Sequence, residues 1–157
     1  MEIRAGASYP AGSLTNLSPH GFILDDVKIA SMEGFLQALK FKEPEMQAVV
    51  CSLSGMAAKM RGAGKPWQRS GKLHWKGVAV DRFGPDYQKL LDRAYDALTD
   101  QNQGFRKALL ASGNATFSHS LGKRKEQDTV LTQREFTSRL SRARARVRAQ
   151  DEHSRRH

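Results

Sequence analysis

The segment Ser31–Phe41 (SMEGFLQALKF) constrains the fold more than any other part of this chain. As a helix with about 100° per residue it is apolar almost all round, which is typical of a buried helix. Glu33, Gln37 and Lys40 interrupt the apolar pattern at i, i+4 and i+7, so they share one face. A buried face with an acid, an amide and an amine needs internal partners or a wet pocket that accepts a ligand.

Two interpretations of this polar face remain open. The simpler one is a solvated surface stripe with a weak ion pair, because charged side chains are mostly exposed. Leu36 and Phe41 flank the stripe, and apolar side chains cover the opposite side of the helix, which favours a pocket. Roughly 10 Å of helix rise separates Glu33 from Lys40. We therefore expect both to converge on a ligand rather than to pair directly.

Length and composition bound the class of protein. With 157 residues, of which 39% are apolar, the chain suits one compact domain. The single cysteine, Cys51, excludes an internal disulfide and a cysteine-rich zinc site. No apolar run approaches the roughly 18–20 residues of a membrane span, and no apolar signal core follows Met1. These features predict a soluble protein in a reducing cytoplasm, which for a phage-encoded chain would be that of the host.

Several motifs that would indicate metal, nucleotide or serine chemistry are missing. The five histidines show no H-E-x-x-H spacing, and there is no G-x-S-x-G nucleophile elbow. The segment Arg61–Pro66 (RGAGKP) departs from a phosphate loop, since Lys59 replaces its first glycine and Pro66 its metal-binding hydroxyl. The sequence therefore predicts neither a metal nor a cofactor, and leaves carboxylate and amine side chains for catalysis.

Patterning along the chain predicts an α+β fold that is mostly helical. Phe22–Leu24 and Val27–Ile29 are predicted as a hairpin around Asp25 and Asp26. Further helices are predicted from Pro44, from Ser54, from Pro85, over Gln103–Ala111 and from a Thr132–Glu135 capping box, with a short strand at Ala115–His119.

The net charge of +10 is concentrated at the carboxyl end. Residues 139–157 carry seven arginines against two acidic side chains, so half of the excess lies in nineteen residues. We predict a domain over 1–138, followed over 139–157 by a basic helical arm whose tail is disordered after Gln150. Its expected partner is nucleic acid, and a solubilising tail is the alternative. One face of this helix is apolar: Phe136, Leu140, Ala143 and Val147.

Over residues 14–118 the chain resembles the NADAR family. The sharpest match is to its S-x-E-x-x-x-Q-A-x-K-F signature, carried by Ser31, Glu33, Gln37, Ala38, Lys40 and Phe41. The resemblance implies a NADAR/YbiA-like α+β domain with a ribosyl pocket over Ser31–Phe41. It also implies hydrolysis of an N-glycosidic bond to ribose, most simply the removal of ADP-ribose from guanine bases of nucleic acid.

The resemblance and the residue chemistry together suggest a site. Glu33 would stabilise an oxocarbenium-like state or activate water, and Lys40 would attack the anomeric carbon and form an imine. The expected substrate-binding residues are Asn16, Gln37, Trp75, Lys123, Arg124 and Asp128. The family's D-x-x-W-G segment is missing, so Glu126 or Asp128 is expected to replace its acid, with Gly122–Lys125 as a phosphate-binding loop.

Two other functions remain possible on the sequence alone. One is cleavage of small N-ribosides such as riboflavin-pathway intermediates, because the NADAR family also resembles enzymes that cleave such compounds. The other is a non-enzymatic, basic nucleic-acid-binding protein that keeps an inactive pocket. Trp67 and Trp75 suit base stacking in either case, or serve as core anchors.

Overall fold

The computed structural model describes residues 1–156, in which two small sheets pack among six helices. The strands are β1 (Phe22–Leu24), β2 (Val27–Ile29), β3 (Lys72–Trp75) and β4 (Val78–Asp81). The helices are α1 (Met32–Ala38), α2 (Pro44–Cys51), α3 (Gly55–Gly62), α4 (Pro85–Gln101), α5 (Gln103–Ala111) and α6 (Gln133–Arg156). β1 pairs antiparallel with β2, and β3 with β4. The predicted α+β, mostly helical class is confirmed.

The first hairpin forms where the sequence predicts it. Asp25 and Asp26 have φ angles of 48° and 67°, as a two-residue type I′ turn requires. Phe22 pairs with Ile29, and both side chains are buried on one face of the hairpin. This register leads the chain directly into α1.

Helix α1 is shorter than predicted and ends in a tight turn. Ser31 caps it, because its Oγ accepts a hydrogen bond from the Gly34 amide at 3.1 Å. At the other end the Lys40 amide donates to the Gln37 carbonyl at 3.2 Å, a 3₁₀-type bond. A Cβ atom at Gly34 would lie 2.7 Å from the Leu53 carbonyl oxygen. Glycine here therefore lets backbone from beyond α2 approach α1, and no ligand is needed to explain it.

Helix α4 runs through the middle of the domain and contacts both the first hairpin and α6. Its core face is Tyr87, Leu90, Leu91, Ala94, Tyr95 and Leu98. The predicted apolar face of α6 is also buried, against α4 and α5: Phe136, Leu140, Ala143 and Val147. Burial of each large apolar side chain stabilises the fold by about 1.5–3 kcal/mol, so α6 is part of the domain. No helix within residues 1–156 is long and apolar enough to cross a membrane.

Helix α6 packs on the domain from Phe136 to Val147, and most of its side chains beyond Val147 are exposed. α6 continues as a helix to Arg156, past Gln150, where the sequence predicts a disordered tail; His157 lies outside the described residues. Three of its arginines form ion pairs with acids spaced four residues apart on α4: Arg139 with Asp92, Arg142 with Asp96 and Arg146 with Asp100. Arg144 lies over the Phe117 ring, 4.3 Å from its centroid. Much of the terminal positive charge therefore has intramolecular partners.

The predicted strand at Ala115–His119 is not formed. Only Ser118 makes a bridge, to Glu2, with the Ile3 amide donating to the Ser118 carbonyl at 2.8 Å. The start of the chain thus holds this segment in place and brings His119 beside Ile3.

Candidate functional site

A cavity of about 600 Å³ lies over α1, within the usual size range of small-molecule sites. α1 contributes Glu33 and Gln37, and Lys40 follows directly after the helix. Asn16 joins them from the loop before β1. The opposite wall comes from the segment 119–131, which is where the chain departs from the NADAR pattern. Distant parts of the sequence therefore converge on the predicted polar face.

The carboxylate of Glu33 is held in place by its neighbours. Its Oε1 accepts a hydrogen bond from Gln37 Nε2 at 2.8 Å, and its backbone amide donates to the Asn16 carbonyl at 2.9 Å. Asn16 is fixed in turn, since its Oδ1 accepts from the hydroxyl of Tyr95 at 2.9 Å. Gln37 Oε1 is the one buried side-chain polar atom within residues 1–156 that lacks a hydrogen-bond partner. This oxygen packs against Gly62, since a Cβ atom built on that glycine would lie 1.9 Å from it.

Lys40 is half-buried at the end of α1. Its Nζ donates to the Gly62 carbonyl at 3.3 Å, and no ion pair joins it to Glu33 within residues 1–156. Burial lowers the pKa of Lys40; nearby Glu33 opposes this shift and Lys123 adds to it. A larger fraction of this amine is therefore neutral at a given pH than in an exposed lysine.

On the opposite wall, Lys123 and Asp128, two of the predicted substrate-binding residues, line the cavity. Lys123 Nζ lies 3.5 Å from the Asp128 carbonyl oxygen, at the end of the short 3₁₀ turn Glu126–Asp128. Glu126 lines a separate groove, beside Arg134. Of the two acids considered as replacements for the missing family acid, only Asp128 lines the cavity.

Two predicted substrate-binding residues are not among the residues that line the cavity. Trp75 is 5% exposed and packs edge-on against Phe35, with 5.0 Å between the ring centroids. Its Nε1 donates to Asp25 at 2.8 Å, which joins the two hairpins. Trp75 is thus a core anchor, since Phe35 lies on the buried back of α1. Arg124 lines two neighbouring grooves instead of the cavity.

Sequence reasoning missed several cavity residues: Lys59, Lys65, Gln68 and His119. The loop after α3 carries two of them, Lys65 and Gln68. Lys65 also lies over the Phe41 ring, 5.0 Å from its centroid. The lysines in and around Arg61–Pro66 are the sequence feature that could have indicated these cavity residues. Trp67, which the sequence left between stacking and packing, lines the cavity and is 4% exposed.

The charges around the cavity favour an anion. The amines are Lys40, Lys59, Lys65 and Lys123, against the carboxylates of Glu33 and Asp128. The excess of two positive charges would attract a phosphate-bearing ligand. Within residues 1–156 no group of His, Cys, Asp and Glu side chains is arranged to hold a metal ion.

A buried ion pair anchors the wall opposite α1. Arg82 is 0% exposed and forms two hydrogen bonds to Glu135, Nη2–Oε1 at 2.7 Å and Nη1–Oε2 at 3.0 Å. Its Nε donates to the Thr129 carbonyl at 3.0 Å. Burial raises the pKa of Glu135, but hydrogen bonds from Arg82, the Thr132 amide and Gln88 outweigh burial and lower it overall. The pair therefore ties the cavity wall to β4 and α6.

Comparison with known proteins places the chain in a family. Residues 8–145 match the family model described as bacteriophage protein GP30.3. An uncharacterized 17.1 kDa protein in the Gp30–rIII intergenic region of Enterobacteria phage T4 is 37% identical over 145 residues, covering 90% of this chain and 94% of that protein. The NMR structure of the E. coli protein YbiA superposes with a TM-score of 0.59 at 18% identity, covering 96% of this chain and 87% of YbiA. This chain belongs to the bacteriophage GP30.3 protein family and has the fold of a NADAR/YbiA-like domain.

Proposed function

We propose that the protein is a hydrolase that cleaves an N-glycosidic bond to ribose, with ADP-ribosylated guanine in nucleic acid as its substrate. The observation that carries this proposal is the convergence of Glu33, Gln37 and Lys40 on one cavity with an excess of lysines around it. The sequence resemblance and the YbiA-like fold agree with this chemistry.

The α1 wall has the groups that this reaction needs. Cleavage of an N-glycosidic bond passes through an oxocarbenium-like state, which a carboxylate stabilises or supplies with an activated water. Glu33 suits this role because its hydrogen bond from Gln37 fixes its orientation while the side chain still lines the cavity. The neutral fraction of the Lys40 amine offers a covalent route, in which Nζ attacks the anomeric carbon and the base leaves with the bonding electron pair. Ring opening then gives an imine, which water hydrolyses.

The lysines favour a substrate with phosphate groups. Lys59, Lys65 and Lys123 come from separate loops and helices, and each offers a compact positive charge. A diphosphate such as that of ADP-ribose would neutralise the excess charge. Small N-ribosides, the alternative substrates, would use the same α1 wall with fewer charged contacts.

The proposal is tested by incubating the protein with ADP-ribosylated guanosine in a DNA oligonucleotide and detecting free ADP-ribose by mass spectrometry. Parallel reactions contain ADP-ribosylated RNA and a small N-riboside. Release of ADP-ribose is the expected result. Cleavage of the small N-riboside alone would support the alternative substrate class, and no cleavage of any substrate would contradict the enzymatic assignment.

We expect Lys40 to be trapped on the substrate by borohydride. The amine lies in a partly desolvated position, so a neutral nucleophile is available, and reduction of the imine would leave a ribosyl adduct on its peptide. Peptide mass spectrometry locates the adduct. Lys59→Arg serves as the control because Lys59 lines the same cavity. If nothing is trapped and Lys40→Arg keeps most of the activity, Lys40 only binds substrate.

A second prediction concerns nucleic-acid contact by α6. We expect Arg142→Gln/Arg146→Gln to change the log–log salt slope of duplex binding by less than about 1, because Asp96 and Asp100 already neutralise these arginines. Two free arginines in phosphate contact would change it by roughly 1.8. The measurement is fluorescence anisotropy at several salt concentrations. A change near the larger value would support the predicted role of α6 as a nucleic-acid surface.

A further inference from the structure

We propose that His119 is a catalytic residue that protonates the departing base through its Nε2 atom. This inference rests on the proposed N-glycosidase function and adds a group on the wall opposite Glu33 and Lys40. His119 lines the cavity at the start of the segment that replaces the family's D-x-x-W-G. The sequence pattern predicts no role for His119, and the resemblance to the NADAR family implies none.

The structure determines which ring nitrogen is available. His119 Nδ1 lies 2.7 Å from the backbone carbonyl oxygen of Ile3. A carbonyl oxygen only accepts hydrogen bonds, so Nδ1 carries a hydrogen in both the neutral and the charged ring. The neutral ring therefore has its lone pair on Nε2. Protonation places the exchangeable hydrogen on that same atom.

The His119 ring is also held by the Phe136 ring. Its plane meets the Phe136 ring edge-on, with 5.0 Å between centroids and an interplanar angle of 80°. The carbonyl that Nδ1 contacts belongs to Ile3, which is fully buried and whose amide donates to Ser118. A side chain fixed by packing and a hydrogen bond requires little reorganisation when it transfers a proton.

Gly122 lies beside the Nε2 edge of the His119 ring. Nε2 makes no hydrogen bond within residues 1–156. A Cβ atom built on Gly122 would lie 2.7 Å from Cδ2 and 3.3 Å from Nε2 of His119. Any larger residue would therefore push the ring aside or cover this nitrogen. Gln133 holds the loop in this position by donating from its side chain to the Gly122 carbonyl at 2.5 Å.

The chemistry needs an acid on this side of the substrate. When the bond between the anomeric carbon and guanine breaks, its electron pair leaves with the base, whose nitrogen then takes a proton. The imidazolium gives its Nε2 proton to that nitrogen, while Glu33 takes a proton from the attacking group, which is the Lys40 amine in the covalent route and water in the direct one. Exchange with solvent returns the proton from the carboxyl group to the imidazole. General acid catalysis of this kind typically contributes about 10²–10⁴-fold in rate.

The experiment that tests this proposal compares two substrates with different leaving groups, guanine and nicotinamide. His119→Asn keeps an amide hydrogen for the Ile3 carbonyl, since Asn Nδ2 replaces Nδ1, but has no group at the Nε2 position. We expect it to slow release of ADP-ribose from guanosine by about 100-fold or more. A pyridinium riboside loses neutral nicotinamide and needs no proton, so its cleavage should change by less than about threefold. Equal losses on both substrates, or no loss on either, would overturn the proposal.

A second variant and a binding measurement keep the test independent of one substitution. Gly122→Ala should also slow the guanosine reaction selectively, because its methyl group would crowd the ring. If the wild-type protein cleaves no riboside, the proposed function fails and the catalytic role of His119 fails with it. For an active protein, ¹⁵N NMR of His119 with ADP-ribose as the probe adds a test that does not depend on a substitution. A shifted Nε2 resonance supports contact with the ligand. An unshifted resonance, or a neutral ring protonated on Nε2, overturns the assignment.

Discussion

Glu33→Gln is expected to lower kcat by about 10²–10⁴-fold while the protein stays folded. The substitution is nearly isosteric, and the remaining amide oxygen still accepts the hydrogen bond from Gln37. The backbone bond from residue 33 to the Asn16 carbonyl is also unaffected. What is lost is the negative charge that would face the oxocarbenium-like state.

The measurement is the initial rate of ADP-ribose release, with the thermal midpoint recorded for each variant. Glu45→Gln is the matched control, because Glu45 also lies in the first turn of a helix but is exposed and outside the cavity. It should keep the wild-type rate. A folded Glu33→Gln protein with the wild-type rate would show that this carboxylate is not catalytic.

Arg82→Met is expected to lower the free energy of unfolding by about 3–5 kcal/mol, the usual effect of breaking a buried ion pair. Arg82 is fully buried, so its loss leaves the Glu135 carboxylate without its main partner. The Thr129 carbonyl loses its donor too. Since this network holds the wall opposite α1, the remaining folded protein should also bind substrate more weakly.

Urea unfolding at neutral pH measures the effect, and Arg82→Met/Glu135→Gln is the control. The double variant removes the unpaired charge but leaves an acceptor for the Thr132 amide, so it should recover part of the lost stability. A double variant no more stable than Arg82→Met would show that the ion pair is not the source of the effect.

The same ion pair predicts how stability depends on pH. The pKa of Glu135 is lowered from 4.5 in the folded protein, so its contribution is present above that value and is lost as pH falls through the folded pKa. In Arg82→Met the Glu135 carboxyl group is buried without the guanidinium. The loss of stability on protonation of Glu135 should therefore be absent in this variant. Unfolding curves between neutral and acidic pH compare the two proteins.

Local features of the chain were predictable from the sequence because their causes lie within a few residues. Asp25 and Asp26 tolerate the positive φ angles of a hairpin turn, and Ser31 caps the helix that follows it. The capping box of Thr132 with Glu135 forms as expected. The spacing of Glu33, Gln37 and Lys40 also placed them correctly on one cavity.

Contacts between distant residues were decided only by the tertiary structure. A run of arginines suggests a free basic arm, yet Arg139, Arg142 and Arg146 meet the acids of α4 because α6 packs beside it. Trp75 lies in the core, whereas Lys65 and His119 reach the cavity. Periodicity reports which side chains share a face of one element. Whether a charge is neutralised depends on which other elements pack against that face, and this is set by the burial of the whole apolar core.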